Sequence, residues 1–215
     1  MTEPRPTRPP FVVGITGASG AVYAVRLLQS LLELGHTVHI TISSSGRTLL
    51  KQELQIDVDL QQFDPASLRL KVAPAALERL HYSHHANYFS PLASGSALTS
   101  GMVICPCSGG TLSAVAHGSS TNLIQRAADV HLKERRTLIL VPRETPLSLI
   151  HLDNMKRACE AGATILPASP GWYHGVESVR DLIDFVVARI LDQLHVEHNL
   201  MRRWGDRPGS ARSDA

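Results

Sequence analysis

Short apolar runs alternate with helical patterns along the whole chain. Phe11-Val12-Val13-Gly14-Ile15 leads into the turn Gly17-Ala18-Ser19-Gly20 and then into residues 21–34, where Val22, Ala24, Val25, Leu27 and Leu28 recur at helical spacing before Gly35. Three further apolar runs end at punctuation: residues 37–42, residues 102–105 before Pro106, and residues 137–141 before Pro142. A weaker run, 164–166, stops at Pro167. Runs this short and this continuously apolar read as strands buried on both faces. Between them the spacing predicts helices over 111–116, 123–133, 149–161 with Gly162 as the stop, and 178–194. Strand and helix alternate, so the expected fold is α/β. It is a single domain built on an open, Rossmann-like or flavodoxin-like parallel sheet with helices on both faces and ligands gathered outside the carboxyl ends of the strands. Residues 55–100 show no clear period and are expected to be mostly loop, with helical character at 77–80.

Composition narrows the picture without changing it. A chain of 215 residues can bury a core without help from metals or disulfides. The formal net charge is only +2, and much of the basic excess lies near the ends, at Arg5, Arg8, Arg202, Arg203, Arg207 and Arg212. No basic face for nucleic acid is implied. Three cysteines, Cys105, Cys107 and Cys159, have neither a C-x-x-C nor a zinc spacing, which fits free thiols in a reducing cytoplasm. The proline-rich residues 1–10 lack the apolar stretch of a signal peptide and read as a disordered lead-in. Residues 205–215 read as a disordered tail, which leaves 11–204 as the domain. The most apolar late segment, 182–194, is interrupted by Asp184, Arg189 and Asp192 and is too short for a bilayer, so no membrane partner is expected.

The candidate chemistry lies where the strands end. Glycines after a first strand and before a helix allow a tight turn that aims unpaired N–H groups at an anion, so this turn either binds a nucleotide or flavin phosphate or simply packs a helix on the sheet. The spacing Gly14-x-x-Gly17-x-x-Gly20 differs from the dinucleotide pattern. Cys105-Pro106-Cys107-Ser108-Gly109-Gly110-Thr111 repeats the arrangement, with Ser108 or Thr111 able to cap a helix or to offer a hydroxyl. Ser43-Ser44-Ser45 stands where an NAD-binding fold usually carries an acid. Glu53 follows a short helical stretch and, taken alone, reads as a solvated carboxylate. Arg126, Asp129 and Lys133 share one helix face, either as ion pairs of Asp129 with both cations or as a cation pair for a leaving phosphate. Arg143-Glu144 follows a strand at the ligand edge, and Pro170-Gly171-Trp172-Tyr173-His174 reads as a lid or pocket wall. Arg189 borders an apolar helix stripe as a snorkelling or a pocket arginine. None of the eleven histidines has H-E-x-x-H or similar spacing, and no metal is expected.

Taken together, residues 16–21, Ser94-Gly95-Ser96, residues 102–108, Arg126-Ala127-Ala128-Asp129-Val130, residues 132–136, residues 141–146 and Tyr173-His174 resemble the UbiX-type flavin prenyltransferases over residues 11–204. The resemblance implies transfer of a dimethylallyl group from dimethylallyl phosphate to N5 and then C6 of reduced FMN, without a metal. The product is prenylated FMN for a UbiD-type decarboxylase. By position, Gly17, Ala18, Ser19, Ser43, Ser108, Gly109, Gly110, Thr111 and Arg143 are expected to hold FMN. Tyr88, Arg126, Lys133, Glu144, Tyr173 and Arg189 are expected around the dimethylallyl phosphate. Ser19, Glu53, Lys133, Glu144 and Tyr173 are the implied catalytic set, with Glu53 taking the N5 proton in a relay with Ser19. The family also implies a homo-oligomer, a dodecamer, with sites between subunits. Tyr88 stands where some members carry tryptophan, and Gly109-Gly110 replaces bulkier residues. The alternative is an FMN-dependent decarboxylase of the cysteine-decarboxylase type, of whose Pro-x-Met-Asn motif Leu152-Asp153-Asn154-Met155 is a distant echo.

Overall fold

The computed structural model describes residues 8–201. Six parallel strands form one sheet in the order β3-β2-β1-β4-β5-β6, the doubly wound Rossmann order, with β1 (Phe11–Ile15) paired to β2 (Val38–Ile42) on one side and to β4 (Gly101–Cys107) on the other. Strand β5 (Leu138–Pro142) and the short β6 (Thr164–Ile165) extend one flank. The three-residue β3 (Leu80–Tyr82) closes the other, in register with Val38–Ile40. Helices α1 (Ala21–Glu33), α2 (Ser44–Leu54), α3 (Pro74–Leu77), α4 (Gly109–Ala116), α5 (Leu123–Lys133), α6 (Leu149–Glu160) and α7 (Val179–Gln193) fill the connections.

Alternate strand residues explain why both faces must be covered. Val13, Ile15, Val103 and Cys105 pack with Leu27, Leu28 and Leu31 of α1 and Val187, Ile190 and Leu191 of α7. Val12, Met102 and Ile104 face the other way, against Leu112 of α4 and Leu123, Ile124 and Ala127 of α5. A polar pair is buried within the first of these layers. Arg26 of α1 makes two bonds to Asp184 of α7, Nε to Oδ1 at 2.6 Å and Nη2 to Oδ2 at 3.3 Å.

The differences from the sequence expectations lie in and around residues 55–100 and at helix starts. Strand β3 occupies ground expected to be loop, and the helical turn is Pro74–Leu77 rather than 77–80. Only its pairing to β2 defines β3, and three residues are too few to show a period. Strand β4 runs on to Cys107, and α4 begins at Gly109 instead of residue 111 because Ser108 is the N-cap. Of the expected lead-in, Pro9 and Pro10 are held by their carbonyls, which accept the hydroxyl and the N–H of Ser100 at 2.6 and 3.0 Å. Residues 1–7 and the expected tail at 205–215 lie outside the described residues.

Gly46 fixes how α2 meets the sheet. The Ser43 N–H donates to the Ile15 carbonyl at 3.0 Å, which brings the first turn of α2 against the end of β1. A Cβ at Gly46 would lie 2.5 Å from the Ile15 oxygen, which is backbone and has nowhere to move. Gly46→Ala is therefore expected to lower unfolding free energy by about 1–3 kcal/mol, despite the better helix propensity of alanine. Urea denaturation checks this, and a midpoint equal to the parent's would show that β1 and α2 separate freely.

Candidate active site

The strand order reverses between β1 and β4, so a crevice opens at their carboxyl ends. Thr16, 2% exposed, ties the two turns there. Its hydroxyl donates to the Pro106 carbonyl at 2.8 Å and accepts the Ser108 N–H at 2.8 Å, and its own N–H reaches Pro106 O at 3.3 Å. Ser108 caps α4, accepting the Thr111 N–H at 3.3 Å and donating to Thr111 Oγ1 at 3.0 Å. Ser43 caps α2 by accepting the Gly46 N–H at 3.0 Å. Helices α1, α2 and α4 thus all present their N-termini to this edge. Gly17 is required for close approach, since a Cβ there would lie 2.5 Å from Ser45 Cβ.

The anion on the α1 terminus is the protein's own. From the last turn of α2, the Glu53 carboxylate accepts the Gly20 N–H at 3.0 and 3.3 Å and the Ala21 N–H at 2.8 Å. Gly20, with φ of 116°, has no side chain to cap α1, and Glu53 does so from 33 positions away. This corrects two expectations: these N–H groups are not free for a ligand phosphate, and Glu53 is not merely solvated. Burial pushes its carboxyl up, but bonds from the Ser19 hydroxyl and the Ala21 and Gly20 N–H groups, with the positive charge of Arg143, outweigh it and hold the carboxyl below its ordinary value.

A second group lies on α5. Arg126 donates Nε to the Ala93 carbonyl at 3.1 Å and pairs with Asp129 at 2.6 Å. Lys133 pairs with Glu134, not with Asp129 as the spacing suggested. Arg136, part of the 132–136 motif but given no role there, donates to the carbonyls of Ala97 at 2.6 Å and Gly95 at 2.5 Å. Together Arg126 and Arg136 hold the Ser94-Gly95-Ser96 turn on α5, and a side chain at Gly95 would run into Glu134. Tyr88 is 45% exposed, with its hydroxyl 3.5 Å from the Ser120 carbonyl.

A third group lies around α7. Tyr173 meets Phe185 edge-on at 5.7 Å, and Arg189 lines a cavity of about 270 Å³ with Leu166, Ser169, Phe185 and Gln193. Glu144 is exposed and turns back to accept the Thr145 N–H at 3.2 Å. Gly17, Ala18, Ser19, Ser43, Ser108–Thr111 and Arg143 therefore stand just past the carboxyl ends of β1, β2, β4 and β5, with Glu53 bonded to the turn after β1, whereas the α5 and α7 groups sit on other elements of the same chain.

The donor set at the crevice suits a bound FMN. Serine and threonine hydroxyls, first-turn N–H groups of α2 and α4, and the Arg143 guanidinium are donors that a phosphate and a polar ring edge accept from. A Cβ at Gly110 meets no atom within 4 Å, so the space beside the first turn of α4 is open.

A family model described as Flavoprotein matches residues 3–191. The flavin prenyltransferase UbiX of Halalkalibacterium halodurans is 47% identical over 196 residues, spanning 91% of this chain and 93% of that protein. The chain belongs to the UbiX flavin prenyltransferase family. A solved structure of AnUbiX (PadA1) in complex with FMN and dimethylallyl pyrophosphate matches with a TM-score of 0.80 at 35% identity, covering 94% of this chain and all of that one (100%). A dodecameric FMN-dependent UbiX-like decarboxylase from Escherichia coli O157:H7 matches with a TM-score of 0.78 at 37% identity, covering 91% and 99%. The FMN-dependent cysteine decarboxylase TvaF, at 15% identity and a TM-score of 0.57 over 86% of this chain and 97% of that one, shares the fold alone.

In this UbiX-family chain Cys105 and Cys107 are buried free thiols. Burial pushes the Cys107 thiol up to about 12 and Cys105, beside it, further still, so neither is a thiolate. Among the described residues no three His, Cys, Asp or Glu side chains are grouped to hold a metal ion, and no helix is long and apolar enough to cross a membrane. What the sequence hid in the UbiX-family site is the set of tertiary ties: Thr16 to Pro106, Glu53 to Gly20, and Arg136 to Gly95. Only Thr16 had a local signal, as a polar residue closing a buried strand.

Proposed function

We propose that this chain joins the dimethylallyl group of dimethylallyl phosphate to N5 and then C6 of reduced FMN, making prenylated FMN for a UbiD-type decarboxylase. The observation that carries this reading is the Glu53 carboxylate, held ionised beside Ser19 at the mouth of the crevice between β1 and β4. Gly17, Ala18, Ser19, Ser43, Ser108, Gly109, Gly110, Thr111 and Arg143 hold FMN, whose reduced ring supplies the nucleophilic N5 and, for ring closure, C6. Breaking the allylic C–O bond leaves the electron pair on the departing phosphate, and Arg126, Lys133 and Arg189 balance that charge. Tyr88 and Tyr173 offer π faces to the dimethylallyl fragment, and Glu144 lies on the phosphate side with Tyr173. Glu53 accepts the proton released from N5, with Ser19 as its hydrogen-bonded relay; in ring closure the alkene π bond takes up a proton, the C6–C bond forms at its expense, and C6 releases its own proton.

The α5 and α7 groups complete one another across subunits of a homo-oligomer, a dodecamer like the Escherichia coli UbiX-like protein. Exposed Leu149, Ile150 and Leu152 on α6 and exposed Trp172 support such assembly. Free cysteines support a cytoplasmic setting. Incubating the protein with reduced FMN and dimethylallyl phosphate without oxygen is expected to give a bound flavin heavier by one C5H8 unit in mass spectrometry. Flavin that stays bound but unmodified would overturn the assignment.

A further inference from the structure

We infer that Asp192 and the buried His198 set the direction of the Arg189 guanidinium, acting as positioning residues for the phosphate end of the allylic donor. This rests on the substrate role proposed above for Arg189. Arg189 projects from α7 with its side chain 46% exposed and donates from Nη1 to Asp192 Oδ2 at 2.7 Å. An i, i+3 pair between half-exposed groups is too weak by itself to fix an arginine. Here the acceptor is anchored. The side chain of Asp192 is 17% exposed, and its other oxygen, Oδ1, lies 3.2 Å from Nε2 of His198, whose side chain is 2% exposed.

The tautomer follows from the other ring nitrogen. The Leu200 N–H donates to His198 Nδ1 at 3.3 Å, so Nδ1 carries no proton and Nε2–H donates to Asp192. The segment bearing His198 is itself fixed, because buried Leu194 and Val196 pack in the core and the Val196 N–H returns to the Leu191 carbonyl at 3.0 Å. With Nη1 engaged by Asp192, the Nε and Nη2 donors of the guanidinium fork have no partner among the described residues and face an oxyanion's position beside the cavity at the end of β6. Ordering the side chain before the ligand arrives lowers the entropy lost on binding.

The test is calorimetric titration of FMN-loaded protein with dimethylallyl phosphate, paired with steady-state kinetics. Asp192→Asn and His198→Leu are each expected to raise Kd and KM about five- to tenfold with kcat at saturating donor little changed, the size of coupling usual for residues in one network. His198→Gln, which keeps a donor near the Nε2 position, is expected to recover most of the loss. Asp192→Asn added to Arg189→Ala is expected to weaken binding no further than Arg189→Ala alone. Thermal melts and FMN titrations of each variant separate this from unfolding. If Arg189→Ala weakens binding while Asp192→Asn and His198→Leu stay within about twofold of the parent, the inference fails and the proposed function stands. If Arg189→Ala leaves Kd unchanged, Arg189 is not a substrate residue, and the inference falls with it.

Discussion

Glu53→Gln is expected to lower turnover about 10²–10⁴-fold, the range for loss of a positioned general base, while FMN affinity changes little. Glutamine has nearly the shape of glutamate and keeps a carbonyl oxygen for the Gly20 and Ala21 N–H groups, which Glu53 now binds at 3.0 and 2.8 Å. The capped start of α1 should persist, and only the proton acceptor is lost. The pH profile gives an independent check. Because Ser19, Ala21, Gly20 and Arg143 together outweigh the upward push of burial, Glu53 is ionised throughout the neutral range. Parent activity should therefore fall only below the ordinary carboxylate range, and the variant should lack that acid limb. The same sign applies to stability: with a depressed folded value, the contribution of the contact is present above the unfolded carboxylate value and is lost as pH falls through the folded one. Anaerobic turnover with an FMN titration decides the matter, and normal turnover would remove Glu53 from the reaction.

Asp184→Ala is expected to cost about 3–5 kcal/mol, the usual result of leaving one buried charge unpaired. The Arg26 and Asp184 side chains are 9% and 13% exposed and join α1 to α7 across one face of the sheet. Glu33 lies 3.7 Å from Arg26 Nη1 but is 49% exposed, so it compensates only in part. Replacing both partners with leucine should be far milder than the single change, because no charge is then stranded in the layer. Urea denaturation at fixed protein concentration measures both variants. A single-variant loss under about 0.5 kcal/mol would mean that water reaches the pair as it does at a surface salt bridge.

The parallel α/β architecture was legible because it is written in short-range patterns. β1 coincides with the run at Phe11–Ile15, and α5 with the helix expected at residues 123–133. Strand β3 was not legible, because its three residues become a strand only through their bonds to β2. The site shows the same division. That Gly17–Gly20, Ser108–Thr111 and Arg143 stand at strand ends follows from their places after apolar runs. That Lys133 pairs with Glu134 rather than Asp129 depends on how the α5 terminus and the Ser94–Ser96 turn pack.

Most strands and helices and the polar turns at their junctions are written in residues within a few positions of one another, and the family resemblance in the order of such short motifs along residues 11–204. Tertiary structure alone decided which of those turns meet. Thr16 binds a carbonyl 90 positions away, Glu53 caps a helix 33 positions earlier, and Arg26 finds Asp184 at a separation of 158. No local period encodes such contacts. They form because burying both faces of a parallel sheet brings remote polar groups together out of water, where each must find a partner.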